Sequence, residues 1–158
     1  MNTIIIRTAT LDDVEVLLTF EQGVIATERP LTPSLKDDPI NYYDIKAFIV
    51  DPEVELVVAI INDQLVGSGY VRIMDAKDHF RNNKFGYLGF MYVLPNYRGM
   101  GVNQKIMDAL IKWGAEQGLA EFKLNVYQKN ETAINAYEKV GFKKHMIEMR
   151  MELIDTEP

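Results

Sequence analysis

The period of the apolar positions changes along the chain, and each change marks an element. Residues 3–9, rich in isoleucine, predict a first strand. Thr10 then offers an N-cap oxygen, and Asp12 and Asp13 suit a first helical turn, where the dipole favours acids. Leu11, Val14, Leu17, Leu18, Val24 and Ile25 follow at helical spacing, until Pro30 and Pro33 in the run 28–33 break the helix. Residues 41–50 predict a second, shorter helix ending near Asp51-Pro52. Residues 55–61 and 64–74, joined by Asn62-Asp63, read as a hairpin. A polar connection over 75–83 leads to residues 85–94, apolar at almost every position, as suits a strand covered on both faces. Pro95 stops it. A helix over 102–117 carries Val102, Ile106, Leu110 and Trp113 on one face and ends at Gly118, and residues 121–127 form the next strand. Strand, crossover helix and strand imply a parallel, right-handed unit. Residues 131–140 predict the last helix, with Ala133, Ala136, Tyr137 and Val140 inward and Gly141 as a left-handed C-cap. Residues 142–153 alternate, with His145, Ile147, Met149, Met151 and Leu153 on one side, and predict a closing strand before a polar tail at about 154–158. With no repeat and no linker, this order predicts a single α/β domain over residues 1–158.

Composition removes several classes of chemistry. A chain of 158 residues that is 47% hydrophobic can bury one proper core. The absence of cysteine excludes a disulfide framework, thiolate zinc sites and a cysteine nucleophile together. His79 lies in a polar loop and His145 on the last strand, so the two histidines form no ligand cluster and no metal is expected. No apolar run approaches a membrane span, and the N-terminus lacks the pattern of a secretory signal, so the expected location is cytoplasmic. The net charge of -6 disfavours nonspecific nucleic-acid binding and favours a cationic partner.

The most informative stretch is 94–103, Leu-Pro-Asn-Tyr-Arg-Gly-Met-Gly-Val-Asn, where the apolar strand hands over to a helix. Gly99 and Gly101 let the backbone turn sharply, and the helix start adds unpaired amides and a positive dipole end. Together they describe an anion site made of main chain, suited to a pyrophosphate. It is not a Walker A loop, because no Gly-Lys-Ser/Thr follows, nor a dinucleotide fingerprint, because the third glycine would fall at Gln104.

Pro95-x-Tyr97-Arg98-Gly99-x-Gly101-Val102 after an apolar strand resembles the acetyl-CoA loop of the GNAT superfamily of N-acetyltransferases. Asn130-x-x-Ala133-x-x-Ala136-Tyr137-Glu138-Lys139-x-Gly141-Phe142 resembles the second block of the same family, in the right order and at about its usual separation. The resemblance extends over nearly the whole chain. It implies a GNAT-like α/β fold: a central mixed, twisted sheet flanked by about four helices, with splayed parallel strands forming the acetyl-CoA cleft. The chain departs from the family pattern at Asn96, at Asn103 and in its C-terminal run, which has no turn to make the usual closing hairpin.

The function so implied is acetyl-CoA-dependent transfer of an acetyl group to a primary amine by direct attack in a ternary complex. The alternative is a non-catalytic acyl-CoA sensor of the same fold. The expected acceptor is an amine on a small molecule, a peptide or a protein, with no nucleic-acid or membrane partner and with a homodimer as one possible assembly. By the same resemblance, the amides of Arg98, Gly99, Met100, Gly101, Val102 and Asn103 surround the pyrophosphate. Met91, Tyr92 and Val93 pair main chain with the pantetheine arm, Val93 supplies the oxyanion donor, and Tyr137 protonates the departing thiolate. Asn130 and Ala133 lie beside the arm, although Asn130 also suits a helix cap. Ser68 lacks the spacing of a nucleophile elbow, which leaves no candidate for a covalent acetyl-enzyme. The base stays open. The strand 85–94 contains no acid, so Glu21 and Glu28, two turns apart on one helix face, are expected as paired carboxylates, with Tyr87 and Tyr92 as further candidates.

Overall fold

Five strands form one sheet in the order β1-β2-β3-β4-β5, antiparallel throughout except for the parallel pair β4–β5. In chain order the elements are β1 (Ile5–Thr8), α1 (Val14–Glu28), α2 (Ile45–Val50), β2 (Val54–Ile61), β3 (Gln64–Asp75), β4 (Lys84–Val93), α3 (Val102–Glu116), β5 (Phe122–Lys123) and α4 (Glu131–Val140). The computed structural model describes residues 2–153; Met1 and the expected tail at 154–158 lie outside the described residues.

Local chemistry sets the boundaries. The Thr10 N–H donates to Asp13 Oδ2 at 2.8 Å, and Arg7 grips the same carboxylate with two bonds of 2.8 and 3.0 Å, which fixes the entry to α1. Asp44 accepts from the Ala47 N–H at 3.2 Å and so caps α2 at Ile45, four residues later than the apolar pattern suggests. Asn62 and Asp63 both take positive φ, 48° and 63°, the conformation a two-residue hairpin demands.

The sheet is covered on both faces. One apolar cluster joins Val57, Ala59, Val66, Leu88 and Val93 to Val102, Ile106 and Leu110 of α3. The other joins Leu56, Val58, Tyr70 and Phe90 to Leu17 and Phe20 of α1 and Ile45 of α2. Within β4, Leu88 and Phe90 belong to opposite clusters although strict alternation would place both on one face. A bulge resolves this: the β3–β4 register slips between Ser68 and Tyr70, and Phe90 sits at φ 55°. The Ser68 hydroxyl, fully buried, donates to the Phe90 carbonyl at 3.1 Å and holds the bulge in place.

Two expectations are corrected. The strand expected at 121–127 pairs with β4 only at Phe122 and Lys123. The closing strand expected at 142–153 does not form a ladder with any described residue: beyond the Phe142 N–H its backbone finds no backbone partner among them, and its large apolar side chains are exposed. Gly141 does end α4 at a positive φ, 122°, though outside the left-handed helical region.

Candidate active site

The parallel strands part early. β4 and β5 pair at Gly86–Phe122 and Tyr87–Lys123, and from Leu88 onward the β5-facing edge of β4 has no ladder among the described residues. Successive amides of a strand point to alternate sides. The Leu94 N–H is used by the Val66 carbonyl of β3 at 2.8 Å, so the Val93 N–H is directed into the gap. The bulge at Phe90 sets this phase. The unbroken apolar run concealed it, and the one available hint was Gly89 inside a strand pattern.

At the open end of the gap the chain makes a 3-10 turn, Pro95–Tyr97, and enters α3 through Gly99 (φ 77°) and Gly101 (φ 86°). Both glycines face open space, so the backbone turn alone selects them. Gly101 is the N-cap and has no side chain to offer, and the first helical bond runs from the Lys105 N–H to the Gly101 carbonyl at 3.2 Å. The amides of Val102, Asn103 and Gln104 therefore have no acceptor within the helix and converge with the dipole on one point. This donor set fits a pyrophosphate. Val102 itself is buried, Asn103 is half-buried, and Met100 lies exposed on the loop. Arg98 is engaged within the protein through its Nε. Its Nε donates to the Val93 carbonyl at 2.9 Å, its guanidinium lies 5.7 Å from the Tyr92 ring centre, and its own N–H is taken by the Pro95 carbonyl at 3.3 Å. It ties the loop back to the end of β4. Met91 packs on the α3-side cluster and Tyr92 on the α1-side cluster, 5.2 Å from Phe20.

A second group gathers phenols around one carboxylate. Glu28, the last residue of α1, is half-buried, and burial raises its pKa above the ordinary range, with Tyr42 pulling the other way. Tyr137 of α4 is half-buried, and its hydroxyl is pushed up to about 12 by burial, then by the charges of Glu28 and Tyr87. Tyr87 is raised by burial and then by Glu28. Tyr42 and Tyr43 are raised further, burial again leading and Glu28 contributing. Tyr42 and Tyr43 of the loop before α2, Tyr87 of β4 and Tyr137 of α4 thus all sense the charge of Glu28 at the end of α1. Tyr42 Oη lies near Glu28 but completes no hydrogen bond to it or to any other described group.

Glu21 and Glu28 do not make a pair of open carboxylates. Glu21 is fully buried, and its Oε2 accepts from the consecutive N–H groups of Tyr42 and Tyr43 at 2.8 and 2.7 Å. It anchors the loop whose tyrosines face Glu28, while its Oε1 has no partner among the described residues. Asn130 Oδ1 accepts from the Ala133 N–H at 3.3 Å, so both residues are engaged in capping α4. His79 packs against Phe80, and His145 lies on the exposed C-terminal segment. A polar hollow of about 410 Å³ between residues 81–84 and 117–120 lies at the far end of β4 from the glycine loop. No group of three or more potential ligands for a metal ion occurs among the described residues. No helix among them is long and apolar enough to cross a membrane.

The sequence profile of the acetyltransferase (GNAT) family matches residues 22–142, a span holding the gap, the glycine loop and both Glu28 and Tyr137. The chain belongs to that family. It is 28% identical over 107 residues to N-alpha-acetyltransferase 30 of Schizosaccharomyces pombe, covering 66% of this chain and 68% of that protein. It is 36% identical over 55 residues to the thialysine N-epsilon-acetyltransferase of Mus musculus, a match to 35% of this chain and only 32% of that relative's length. The fold is shared with a predicted acetyltransferase from Clostridium acetobutylicum solved with acetyl-CoA, at a TM-score of 0.74 and 18% identity over 95% of this chain and 96% of that one. Acetyl-CoA is the co-substrate of the family.

Proposed function

We propose that this chain transfers the acetyl group of acetyl-CoA directly to a primary amine, with Glu28 as proton acceptor and Tyr137 as proton donor. One observation carries the reading: the charge of the half-buried Glu28 carboxylate helps to raise the Tyr137 phenol and also reaches Tyr87 on β4, the strand from which Val93 directs its N–H into the gap. The curated relatives act, by their names, at an alpha-amine and at an epsilon-amine, which supports an amine nitrogen as the acceptor.

Acetyl-CoA supplies an activated thioester, and the chain supplies position and proton management. The amides of Gly99 to Gln104 receive the pyrophosphate. The unpaired edge of β4 receives the arm as a strand receives its neighbour. The Val93 N–H faces the acetyl oxygen, where negative charge grows as the amine attacks. A carboxylate with a raised pKa is a better base than an exposed one, and Glu28 takes the proton that the attacking nitrogen gives up. As the C–N bond forms, the C–S bond breaks. The departing sulfur then takes the Tyr137 hydroxyl proton, which burial keeps in place at neutral pH.

The test is release of free thiol from acetyl-CoA in the presence of a panel of primary amines, with Tyr137→Phe alongside. Turnover by the native chain, with a drop in kcat of about 10²-fold in the variant and no change in acetyl-CoA affinity, is the expected result. Acetyl-CoA binding with no turnover on any amine would make the chain a sensor. Unchanged turnover in Tyr137→Phe would remove the tyrosine from the reaction.

A further inference from the structure

One row of residues crosses the sheet immediately before the gap opens. Val54 of β2 stands beside Arg72 of β3, Arg72 beside Tyr87 of β4, and Tyr87 beside Lys123 of β5. Residues paired across strands share a face of the sheet. Val54 and Tyr87 place this row on the face that α1 and α2 cover, with Glu28 at the end of α1. Two cations therefore flank Tyr87 on that face.

The two cations differ in what they touch. Lys123 Nζ lies 3.5 Å from Glu121 Oε1 and over the rings of Phe85 and Phe80, at 4.1 and 5.1 Å. Arg72 is half-buried, and no described carboxylate lies within ion-pair distance of its guanidinium. That group rests on the Phe48 ring of α2, 4.9 Å from its centre. Stacking fixes the plane of a guanidinium and leaves its edge for a bidentate partner. A half-buried charge without a counter-ion is costly to keep, and an anionic ligand relieves that cost. Tyr70, two residues along β3 toward the gap, lays its phenol across Gly89, where any side chain would collide with it. Its ring packs on Phe48 at 5.1 Å, so aromatic rings connect Arg72 with the opening. Burial raises the hydroxyls of Tyr70 and Tyr87, and the Arg72 charge pulls both back.

We propose that Arg72 binds a carboxylate of the acceptor, so that the molecule acetylated is an amino acid, held at its carboxylate by Arg72 and at its amine by Glu28. This deepens the reading given above and rests on Glu28 as the group that receives the amine. Arg72 then determines specificity and takes no part in the transfer itself. The guanidinium fork forms two parallel hydrogen bonds with the two oxygens of a carboxylate. A carboxamide in the same place leaves the cation without its counter-charge.

The probes are glycine, beta-alanine, gamma-aminobutyrate and lysine, each set against its own carboxamide. Calorimetry on the CoA-bound protein reads their binding, and thiol release from acetyl-CoA reads turnover. At least one amino acid should bind about tenfold more tightly than its carboxamide, with kcat/KM higher in the same ratio. Arg72→Gln should raise KM for that amino acid about tenfold, leave kcat nearly unchanged and bring the pair level. Arg72→Lys, which keeps the charge without the fork, should keep part of the preference, and Lys123→Gln should keep all of it. Equal binding within every pair by the native chain would overturn the proposal, and that comparison needs no variant to fold. So would a preference that survives Arg72→Gln, as it would if the guanidinium only packed on Phe48, or one that disappears in Lys123→Gln. A preference in binding that depends on Arg72, without turnover of any amine, would uphold the carboxylate site and remove the transfer reading. Turnover with no preference for the carboxylate would do the reverse.

Discussion

The two parts of the site are built by different means. The glycine-loop wall is main chain: the free amides of α3, two positive-φ glycines and the Val93 N–H, all supplied within about a dozen consecutive residues. The other part of the site is side chain: Glu28, Tyr42, Tyr43, Tyr87 and Tyr137, brought together from parts of the chain more than a hundred residues apart. A backbone site tolerates changes of side chain and is damaged by changes of conformation. A side-chain site behaves in the opposite way, keeping its fold while losing its chemistry.

The largest effect that separates the two parts is expected from Glu28→Gln. Removing a general base costs about 10²- to 10⁴-fold in turnover, and the loss should appear in kcat while acetyl-CoA affinity, measured by calorimetry, stays put. The pH profile sharpens this. Glu28 acts when deprotonated, and burial raises its pKa, so kcat/KM of the native chain should fall with decreasing pH along a limb displaced above the ordinary value of about 4.3. That limb should vanish in the variant. A limb that survives would hand the role to another group.

Gly101→Val attacks the other part. Its φ of 86° costs a side-chain-bearing residue about 1–2 kcal/mol, and nothing nearby would clash with the new Cβ. The loop can shed that strain by moving, and movement turns the amides away from their ligand. The expected result is acetyl-CoA binding weakened about tenfold, with a thermal midpoint close to that of the native chain. Unchanged affinity would mean that the loop amides contribute little.

Glu21→Gln comes next, and it contrasts with Glu28 on the same helix. The buried Glu21 carboxylate receives two amides, and charge-assisted bonds of this kind are worth about 1.5–3 kcal/mol. The variant should lose stability of that order in urea titration, and turnover should fall only as far as the loop holding Tyr42 and Tyr43 loosens. A loss of turnover as large as that of Glu28→Gln, at unchanged stability, would reverse the assignment of the two glutamates.

What the sequence disclosed follows the same division. Gly99, Gly101 and the start of α3 were legible because a backbone site is written in consecutive residues whose conformations glycine and proline dictate. The division between Glu21 and Glu28 was not, because helical spacing gives both the same face. Only the position of Tyr42 and Tyr43, twenty residues on, decides which carboxylate is consumed by backbone. The bulge at Phe90 was hidden for a related reason: in a strand apolar at every position a one-residue slip leaves no mark on the pattern. The segment 142–153 carries a genuine strand pattern, and its lack of a partner depends on neighbours that periodicity does not report.

The smallest of these effects concerns Asn130, which the family resemblance places beside the cofactor arm and the structure places at the start of α4. Its Oδ1 accepts from the Ala133 N–H, so its acceptor is spent on the helix. Loss of such a cap costs about 1 kcal/mol, and Asn130→Ala should lower stability by that amount. Asn130→Ser should recover most of it, since serine caps nearly as well. If capping is the whole role, both variants keep the acetyl-CoA affinity of the native chain, and kcat falls in Asn130→Ala only as the frayed first turn lets Tyr137, two turns along, drift from the gap. Weaker acetyl-CoA binding in Asn130→Ser at native stability would instead show that the amide group also reaches the cofactor. That would add one side-chain contact to a wall otherwise made of backbone.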